Sequence, residues 1–483
     1  MVFGKKPGRR KYERRKNGGG GEHSVLFVQP ANPEEKSHFL CPPYWVAILK
    51  ALTPPNWETG YINMGFETLT EKDVADFDVV AIGIVSTSTA YEAYRVGDMA
   101  MESGAHVVMG GLHTFIFPDE ARPHCHTIIV GEGEGAWREF LADFERGRPS
   151  PLYVGGVVPP ERFVVPDFSI TKKYFHHHPV VLETMRGCPF NCAFCTATPY
   201  SGNTYRYFPA EIIHGTIERW CEGRKMPVRL ANTNILGNVE KTREVLKIFS
   251  DHDFYWWGPC STNLVRHDDL FPLLAESGCT NLRFGFESVS PKTLRYLNKK
   301  QNVVSEYKRL VKKVHDHGIT VGGNFMFGLD TDTPEVFRAT EEFINDADID
   351  VPLIGVLIPF PGTRIFDEFH AQGRILTYDW SKYNGQHLVY RPKNMTKEQL
   401  LRGVLELYEN VHTPARILSR LTNSRPGIHA VMGGIMAGVL VVGKRVLQGF
   451  FEKAIEEEFE NPGKLLYPPN RSFARFVAET RHA

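Results

Sequence analysis

The sequence predicts an α/β protein made of two folded domains and a helical C-terminal segment. Short runs that are almost entirely apolar, such as "DVVAIGIV" and "TIIVG", alternate with stretches of helical period. Such runs are typical of parallel strands that are covered on both faces by helices. A chain of 483 residues is also long for one hydrophobic core, so more than one domain is expected.

Composition and charge bound the class of protein. Hydrophobic residues make up 42% and charged residues 23% of the chain, which is typical of a globular protein, and the formal net charge of zero argues against a nucleic-acid partner. Residues 1–22 are an exception, because they are strongly basic and contain a run of four glycines near their end. This segment predicts a disordered basic tail. It lacks the apolar core of an export signal, so a cytoplasmic protein with reduced thiols is expected.

The first folded domain is predicted over residues 23–150 as a doubly wound, Rossmann- or flavodoxin-like unit. Three of its strands end in loops rich in glycine or hydroxyl groups. Open α/β sheets bind nucleotides and cofactors at this edge, because backbone N–H groups converge there. The loops therefore indicate a cofactor site, with ordinary tight turns as the structural alternative. The candidate residues are Ser86, Thr87, Ser88, Gly110, Gly111, His113, Gly131, Glu132 and Gly133.

The second domain is predicted over residues 179–390, after a linker rich in proline and glycine at 151–178. About six strand–helix units follow one another, which predicts a full or partial parallel barrel. In such barrels the chemistry collects on the loops that follow the strands. The first of these loops, directly after a strand within Pro179 to Thr184, contains Cys188, Cys192 and Cys195.

The C-terminal segment, residues 391–483, is predicted to be largely helical. Its sixteen residues from Ile428 to Gly443 carry no acidic residue, lysine or arginine. That length is short for a helix that crosses a bilayer, so the pattern favours a buried or surface-docking helix over a transmembrane one. Contact with a membrane surface or with a hydrophobic substrate is the functional alternative.

The three clustered cysteines allow several interpretations. A disulfide framework needs an oxidising compartment and paired cysteines, and only three of the eight cysteines lie here. A structural zinc site takes four ligands, usually in pairs separated by two residues, and only Cys192 and Cys195 have that spacing. Three thiolates on one loop instead suit an iron–sulfur cluster that keeps one iron without a protein ligand.

The run C-x3-C-x2-C after the first barrel strand, with Phe194 before the third cysteine, resembles the signature of radical S-adenosylmethionine enzymes. The resemblance implies a [4Fe–4S] cluster on Cys188, Cys192 and Cys195, whose open iron chelates S-adenosylmethionine. One electron from the cluster then cleaves the sulfonium to methionine and a 5′-deoxyadenosyl radical. It also implies an external electron donor such as flavodoxin or ferredoxin.

Later strand ends resemble the same family. The runs "RFGFESVS", "NFMFGL" and "LIPFPGT" look like the segments that contact S-adenosylmethionine. At the end of the second barrel strand, many relatives carry acidic residues where this chain has asparagines, which leaves an acid-dependent contact in doubt. For Glu287, a helix-capping or barrel-stabilising role is the structural alternative. The residues that the resemblance implies are Asn232, Asn234, Glu287, Ser288, Asn324 and Pro359.

A doubly wound domain with such loops in front of this barrel is similar to the cobalamin-binding branch of the superfamily. The resemblance implies a corrinoid above the barrel mouth, with its nucleotide tail in the first domain. The chain lacks the motif D-x-H-x-x-G that supplies a lower cobalt ligand, so no axial ligand is named, and His38 and His113 are the nearest imidazoles.

The function implied by this resemblance is methylation of an unactivated carbon of a small biosynthetic substrate, lipid-like or another natural product. One alternative is a radical enzyme that forms or rearranges rings in lipid or pigment biosynthesis. An alternative from another class is a non-catalytic carrier of an iron–sulfur cluster or a corrinoid.

Overall fold

The computed structural model describes residues 23–33, 43–175, 179–224, 226–416, 448–459, 463 and 465. The basic tail, His38 and the apolar segment from Ile428 to Gly443 lie outside these residues. None of the helices within the described residues has both the length and the hydropathy needed to cross a bilayer.

The first domain is built on a sheet of six parallel strands in the order β2-β1-β3-β4-β5-β6, which confirms the doubly wound prediction. Its last strand belongs to the segment that the sequence assigned to the linker. The strands are β1 (His23–Gln29), β2 (Trp57–Asn63), β3 (Val79–Gly83), β4 (His106–Gly110), β5 (Thr127–Gly131) and β6 (Leu152–Gly156).

Helices cover both faces of this sheet because its strands are apolar on both sides. On β3, Val79 and Ala81 belong to one buried cluster, whereas Val80 and Ile82 belong to the other. This alternation is the period of two that a strand imposes on its side chains. The helices of this domain are α1 (Tyr44–Leu52), α2 (Glu71–Ala75), α3 (Ala90–Glu102), α4 (Leu112–Ile116), α5 (Pro118–Ala121) and α6 (Trp137–Glu145).

The second domain contains a second sheet of six parallel strands. Their order in the sheet, β7-β10-β11-β12-β13-β14, is also their order in the chain. This order confirms the partial (β/α)6 barrel. A small antiparallel pair, β8 and β9, lies beside the first strand. The strands are β7 (Val181–Leu182), β8 (Met185–Arg186), β9 (Arg206–Tyr207), β10 (Val228–Leu230), β11 (Trp256–Cys260), β12 (Cys279–Glu287), β13 (Thr320–Phe327) and β14 (Val351–Val356).

Helices alternate with these strands, and several begin at side chains that satisfy the free N–H groups of the first turn. Asn238 accepts from Lys241 N at 3.0 Å and Thr396 from Gln399 N at 3.1 Å. The helices are α7 (Ala197–Ser201), α8 (Ala210–Thr216), α9 (Val239–Ser250), α10 (Leu270–Glu276), α11 (Pro291–Tyr296), α12 (Tyr307–Asp316), α13 (Glu335–Asp346), α14 (Arg364–Ala371) and α15 (Lys397–Val411).

Strand β12 separates the packed wall of the barrel from its inner face. Phe286 is fully buried, and its ring centroid lies 4.7 Å from that of Tyr307 and 5.5 Å from that of Phe343, on the surrounding helices. Gly285 and Glu287 point to the other side and are only partly buried. The strand therefore presents Glu287 at its carboxyl end, where barrel chemistry collects.

A buried histidine makes the first domain sensitive to acid. Burial, and then the nearby His126, lower the pKa of His106 to about 3. The unfolded chain binds this proton below about pH 6.5 and the folded chain does not, so stability falls as the pH drops from 6.5 towards 3. Replacing His106→Gln, which keeps a polar group beside Thr127, should reduce the loss of unfolding free energy between pH 7.5 and pH 5 by about 2 kcal/mol. Urea unfolding at the two pH values measures this loss.

The matched control is His370→Gln, which changes an exposed histidine on α14. It should leave the difference between the two pH values as in the wild type. Equal pH dependence in His106→Gln and the wild type would show that His106 is not a source of acid sensitivity.

Candidate active site

Hydrogen bonds from three other parts of the barrel hold the loop that carries the cysteines. Cys188 N donates to Gly202 O at 3.1 Å, and Ala193 N donates to Leu297 O at 2.9 Å. Ala193 O in turn accepts from Ile365 N at 3.1 Å. The loop is therefore fixed to segments after β12 and β14 without being helix or strand itself.

A glycine is required where this loop begins. Gly187 has a φ of 84°, and a Cβ atom there would lie 2.0 Å from Thr204 O. A side chain at this position would meet both backbone strain and a collision with the main chain. Gly187 thus allows the chain to turn directly from β8 into Cys188.

The three thiols form a partly exposed group near one another. Burial raises the pKa of Cys195 to about 11, with the Ala197 N–H opposing the rise and the neighbouring Cys192 and Cys188 adding to it. Two polar groups approach the sulfur atoms: Ala197 N lies 3.4 Å from Cys195 Sγ, and Gln301 Nε2 lies 3.9 Å from Cys192 Sγ. Such donors stabilise thiolate sulfur, and N–H···S contacts are among the features that tune iron–sulfur clusters.

Glu287 adopts a backbone conformation that non-glycine residues rarely use, with a φ of 61°. The register between β12 and β13 shifts at this point, between Gly285 and Glu287. The carboxylate forms an ion pair with Lys299 at 2.8 Å, and Lys299 Nζ lies 5.9 Å from the ring centroid of Phe194. Strain of this kind is typical of functional sites. Lys299 connects the end of β12, through its ion pair with Glu287, to Phe194 on the cysteine loop.

The asparagines at the second strand end are engaged within the barrel wall. Asn232 accepts from Thr184 N at 2.8 Å and donates to Thr184 Oγ1 at 2.7 Å. Asn234 accepts from Ser261 N at 2.8 Å and donates to Tyr205 Oη at 3.1 Å. These bonds join neighbouring strand ends, which favours a structural role for both amides over contact with a cofactor.

The remaining predicted barrel residues lie at later strand ends. Ser288 is buried next to Glu287, and its hydroxyl accepts from Ser290 N at 3.1 Å. Asn324 is opposite Gly285 in the register of β12 and β13 and is partly exposed. Pro359 is buried shortly after β14.

A cavity of about 230 Å³ separates the carboxyl edge of the first sheet from the second domain. Glycines at the ends of three adjacent strands form part of its wall, namely Gly83, Gly110 and Gly131, and the hydroxyl of Tyr44 is buried there without a hydrogen-bond partner. The second domain contributes Glu183, Arg186, Tyr200 and Ser201. A mostly apolar wall with an unsatisfied hydroxyl fits an organic ligand with a few polar groups.

The predicted first-domain residues divide between this cavity and the core. Gly110, Gly111, Gly131, Glu132 and Gly133 line the cavity, whereas Ser86, Thr87, Ser88 and His113 are not part of its wall.

His113 is completely buried, with Nε2 3.1 Å from Tyr94 Oη and its ring 5.2 Å from that of Phe117. Helix α4 begins one residue before His113 and turns the imidazole into the core. The Oγ1 atom of Thr87 is buried without a partner, and the hydroxyls of Ser86 and Ser88 lie 2.9 Å apart.

Two largely buried arginines form a network of ion pairs between the domains. Arg206 forms an ion pair with Glu132 at 2.5 Å, and Arg186 pairs with Glu183 at 2.8 Å and also with Glu134. Burial lowers the pKa of Arg186, but the carboxylates, Glu183 first, raise it well above its usual value. Since Glu132 and Glu134 follow β5 and the arginines lie on β8 and β9, the network fixes the cysteine loop against the first domain.

Comparison with known proteins agrees with this architecture. Residues 182–344 match the model of the Radical SAM superfamily. Bacteriochlorophyllide d C-12(1)-methyltransferase of Chlorobaculum tepidum is 32% identical over 72% of this chain and 78% of that protein. Anaerobic magnesium-protoporphyrin IX monomethyl ester cyclase of Rubrivivax gelatinosus is 24% identical over 92% of this chain and 85% of that protein.

Among solved structures, the radical S-adenosylmethionine methyltransferase TsrM from Kitasatospora setae, with cobalamin and a [4Fe–4S] cluster bound, matches with a TM-score of 0.65 at 16% identity. The match covers 90% of this chain and 99% of TsrM. The two-domain fold and the thiol loop define a radical S-adenosylmethionine enzyme. The chain belongs to that superfamily, and its cofactors include a [4Fe–4S] cluster and S-adenosylmethionine.

Several residues of the site were not predicted from the sequence. Lys299 contacts Glu287, and Gln301 approaches Cys192; both belong to the stretch "NKKQ" after α11. The basic and amide side chains of this stretch were the signal that the sequence offered. Tyr44 had no signal in the residues around it, and the carboxylates that join the arginines on β8 and β9 to the first domain, Glu134 and Glu132, are distant in the chain.

The charge network predicts a large effect of removing one acid. Glu132→Gln leaves Arg206 buried without its counter-ion, which should lower the free energy of unfolding by about 3–5 kcal/mol. Urea unfolding measures the change. The control Glu139→Gln, an exposed acid on α6, should change it by no more than about 0.5 kcal/mol. Equal stabilities of the two variants would show that Arg206 does not depend on the Glu132 carboxylate for the stability of the folded chain.

Proposed function

We propose that this protein is a cobalamin-dependent radical S-adenosylmethionine enzyme that methylates an unactivated carbon of a small biosynthetic molecule. One observation carries the proposal. The segment from Arg186 to Ser201 contributes both of its ends to the wall of the interdomain cavity and holds all three clustered cysteines between them. A ligand in that cavity would therefore lie beside the cluster loop.

The residues present suit each cofactor. Cys188, Cys192 and Cys195 would hold the [4Fe–4S] cluster, which supplies the electron that cleaves S-adenosylmethionine. Glu287, Ser288, Asn324 and Pro359, at the strand ends around the loop, would contact S-adenosylmethionine.

The cavity residues Gly110, Gly111, Gly131, Glu132 and Gly133 would hold cobalamin, which supplies a methyl group to carbon. No histidine lines this cavity among the described residues, in keeping with the missing D-x-H-x-x-G motif. The hydroxyls of Ser86, Thr87 and Ser88 stay candidates from the sequence, although they are not part of the cavity wall.

Lys299 balances charge in this site. Burial raises the pKa of Cys192, and the Lys299 ammonium opposes that rise. Its ion pair with Glu287 keeps the cation in place between the end of β12 and the aromatic ring of Phe194. Lys299 therefore favours anionic sulfur on the loop while it orients the Glu287 carboxylate.

An external one-electron donor, such as flavodoxin or ferredoxin, would approach the cluster loop from outside. A cavity of about 640 Å³ opens beside Cys192 and Cys195, and the exposed Arg295 and Arg364 lie at its border. Asp367 also lines this cavity and Arg364 pairs with Glu368, so the border is of mixed charge, with Arg295 as a basic group that an acidic protein partner would meet.

A second function is ring formation without methylation. The similarity to the Rubrivivax gelatinosus cyclase extends over 92% of this chain, so the same architecture is shared with a protein named for ring closure. A hydrophobic substrate and contact with a membrane surface stay predictions, because the apolar segment from which they come lies outside the described residues.

The experiment that tests the function is anaerobic reconstitution with iron, sulfide and cobalamin, followed by S-adenosylmethionine and dithionite. Mass spectrometry then measures 5′-deoxyadenosine and the methylation of bound corrinoid. The wild type should produce both, and the variant Cys188→Ala/Cys192→Ala/Cys195→Ala should produce neither. Formation of 5′-deoxyadenosine without bound corrinoid would favour the ring-forming enzyme. An intact cluster that gives neither product with several candidate substrates would favour a carrier.

Gly285 leaves room for the Glu287–Lys299 pair. A Cβ atom at Gly285 would lie 2.4 Å from Glu287 Oε1 and 2.6 Å from Lys299 Nζ. Gly285→Ala should therefore displace the pair and lower 5′-deoxyadenosine formation at least about tenfold, a loss of about 1.4 kcal/mol in transition-state stabilisation. Iron and sulfide content should stay unchanged, because the loop bonds do not involve Gly285.

The control is Gly355→Ala on β14, where an added Cβ atom has no neighbour within 4 Å. This variant should keep the wild-type rate. A Gly285→Ala enzyme with full rate and full cluster would show that the position of the ion pair does not matter for cleavage.

A further inference from the structure

A second group of metal-ligating side chains lies apart from the site described above. His214, Glu218 and His252 each offer a ligand atom, and these atoms all lie within 4.8 Å of one another. His214 Nδ1 and His252 Nε2 are only 2.9 Å apart. None of the three residues lines the interdomain cavity or the cavity beside the cysteines.

The fold brings these residues together from two neighbouring helices of the barrel wall. His214 lies in the last turn of α8, and His252 follows the end of α9 by two residues. The chain continues from α8 into a π-helical turn, Ile217–Cys221, which contains Glu218. Turns of this type are rare and occur frequently at functional sites.

The two imidazoles face each other at hydrogen-bonding distance, where a metal ion could replace the shared proton. Two neutral rings whose nitrogen atoms face each other can share one proton, which uses the lone pair of only one ring. A bound metal ion would use the lone pairs of both. With Zn–N distances of about 2.05 Å and a tetrahedral angle, the two nitrogens would be about 3.3 Å apart, so the rings would have to separate by only about 0.4 Å.

A carboxylate also lies on the far side of His252. Its side chain is 7% exposed, and its other nitrogen, Nδ1, lies 3.7 Å from Glu222 Oε1. This separation is longer than a hydrogen bond, but the exposed Glu222 carboxylate is close enough to reach Nδ1, and such a bond fixes the ring and tautomer of a ligating imidazole. Glu218 is exposed, so its carboxylate can turn towards the two rings, and solvent can supply a fourth ligand.

We propose that His214, Glu218 and His252 bind a zinc ion that joins α8 to the end of α9 on the outer wall of the barrel. Two histidines and one glutamate are a ligand set that Zn²⁺ accepts, completed by water. The ion would connect residues 38 positions apart in the chain. This site is independent of the proposed methylation, and its role is structural.

The test uses the full chain with its iron–sulfur cluster already assembled, because free thiols on the cysteine loop would also bind zinc. After chelation and dialysis, zinc chloride is added and bound zinc is measured by inductively coupled plasma mass spectrometry. We expect one zinc per chain in the wild type and a zinc-dependent rise in Tm of about 3 °C or more. Zinc-edge X-ray absorption should show N/O ligands at about 2.0–2.1 Å and no sulfur at about 2.3 Å.

The variants are His214→Gln and Glu218→Gln. Because Glu218 is exposed, its replacement should not prevent folding, and it should weaken zinc binding at least about tenfold. The control Glu211→Gln changes another exposed acid of α8 and should bind zinc as the wild type does. Sulfur ligands in the absorption spectrum, a wild type without bound zinc, or equal binding by Glu218→Gln and Glu211→Gln would each overturn the proposal.

Discussion

Arg186 and Arg206 bring two guanidinium charges into the junction between the sheets, with side chains that are 11% and 10% exposed. A buried charge without a partner costs several kcal/mol, so these arginines require the carboxylates beside them. Glu132, which also accepts from Val158 N at 2.8 Å, comes from the first domain. The charge of Arg206 is therefore neutralised, and that of Arg186 fully paired, only when the doubly wound domain is docked on the barrel.

This docking also positions the chemistry. Arg186 is directly followed by Gly187 and Cys188, so the residue that anchors the domains also begins the cysteine loop. The guanidinium of Arg186 lies 4.9 Å from the ring centroid of Phe163, which stacks on Phe208 at 4.1 Å. A loop that is fixed by charge and stacking at its start, and by backbone bonds further along, loses little conformational freedom when a cluster binds.

The sequence predicted those features that depend on local pattern, namely the order of strands and helices, the cysteine loop and the glycine-rich strand ends. It did not predict contacts between distant segments, such as Glu287 with Lys299 or Asn232 with Thr184. Strand β6 was missed because its "LYVGG" run lies among prolines and glycines, which an edge strand tolerates. His113 was expected at the cofactor edge, but α4 directs it between Tyr94 and Trp380, whose ring lies 6.1 Å away.

The conformation of Glu287 is likewise imposed by contacts between segments that are distant in the chain. If β12 continued regularly, Glu287 would pair in the same register as the preceding residues. The shift in register after Gly285 and the positive φ of Glu287 change the direction of the chain at the strand end. There the carboxylate meets Lys299, which also faces Phe194 on the cysteine loop. Backbone strain of about 1–3 kcal/mol persists only where surrounding contacts impose it. Here an ion pair with side chains 11% and 10% exposed provides that constraint, and it ties the end of β12 to the cysteine loop through Lys299.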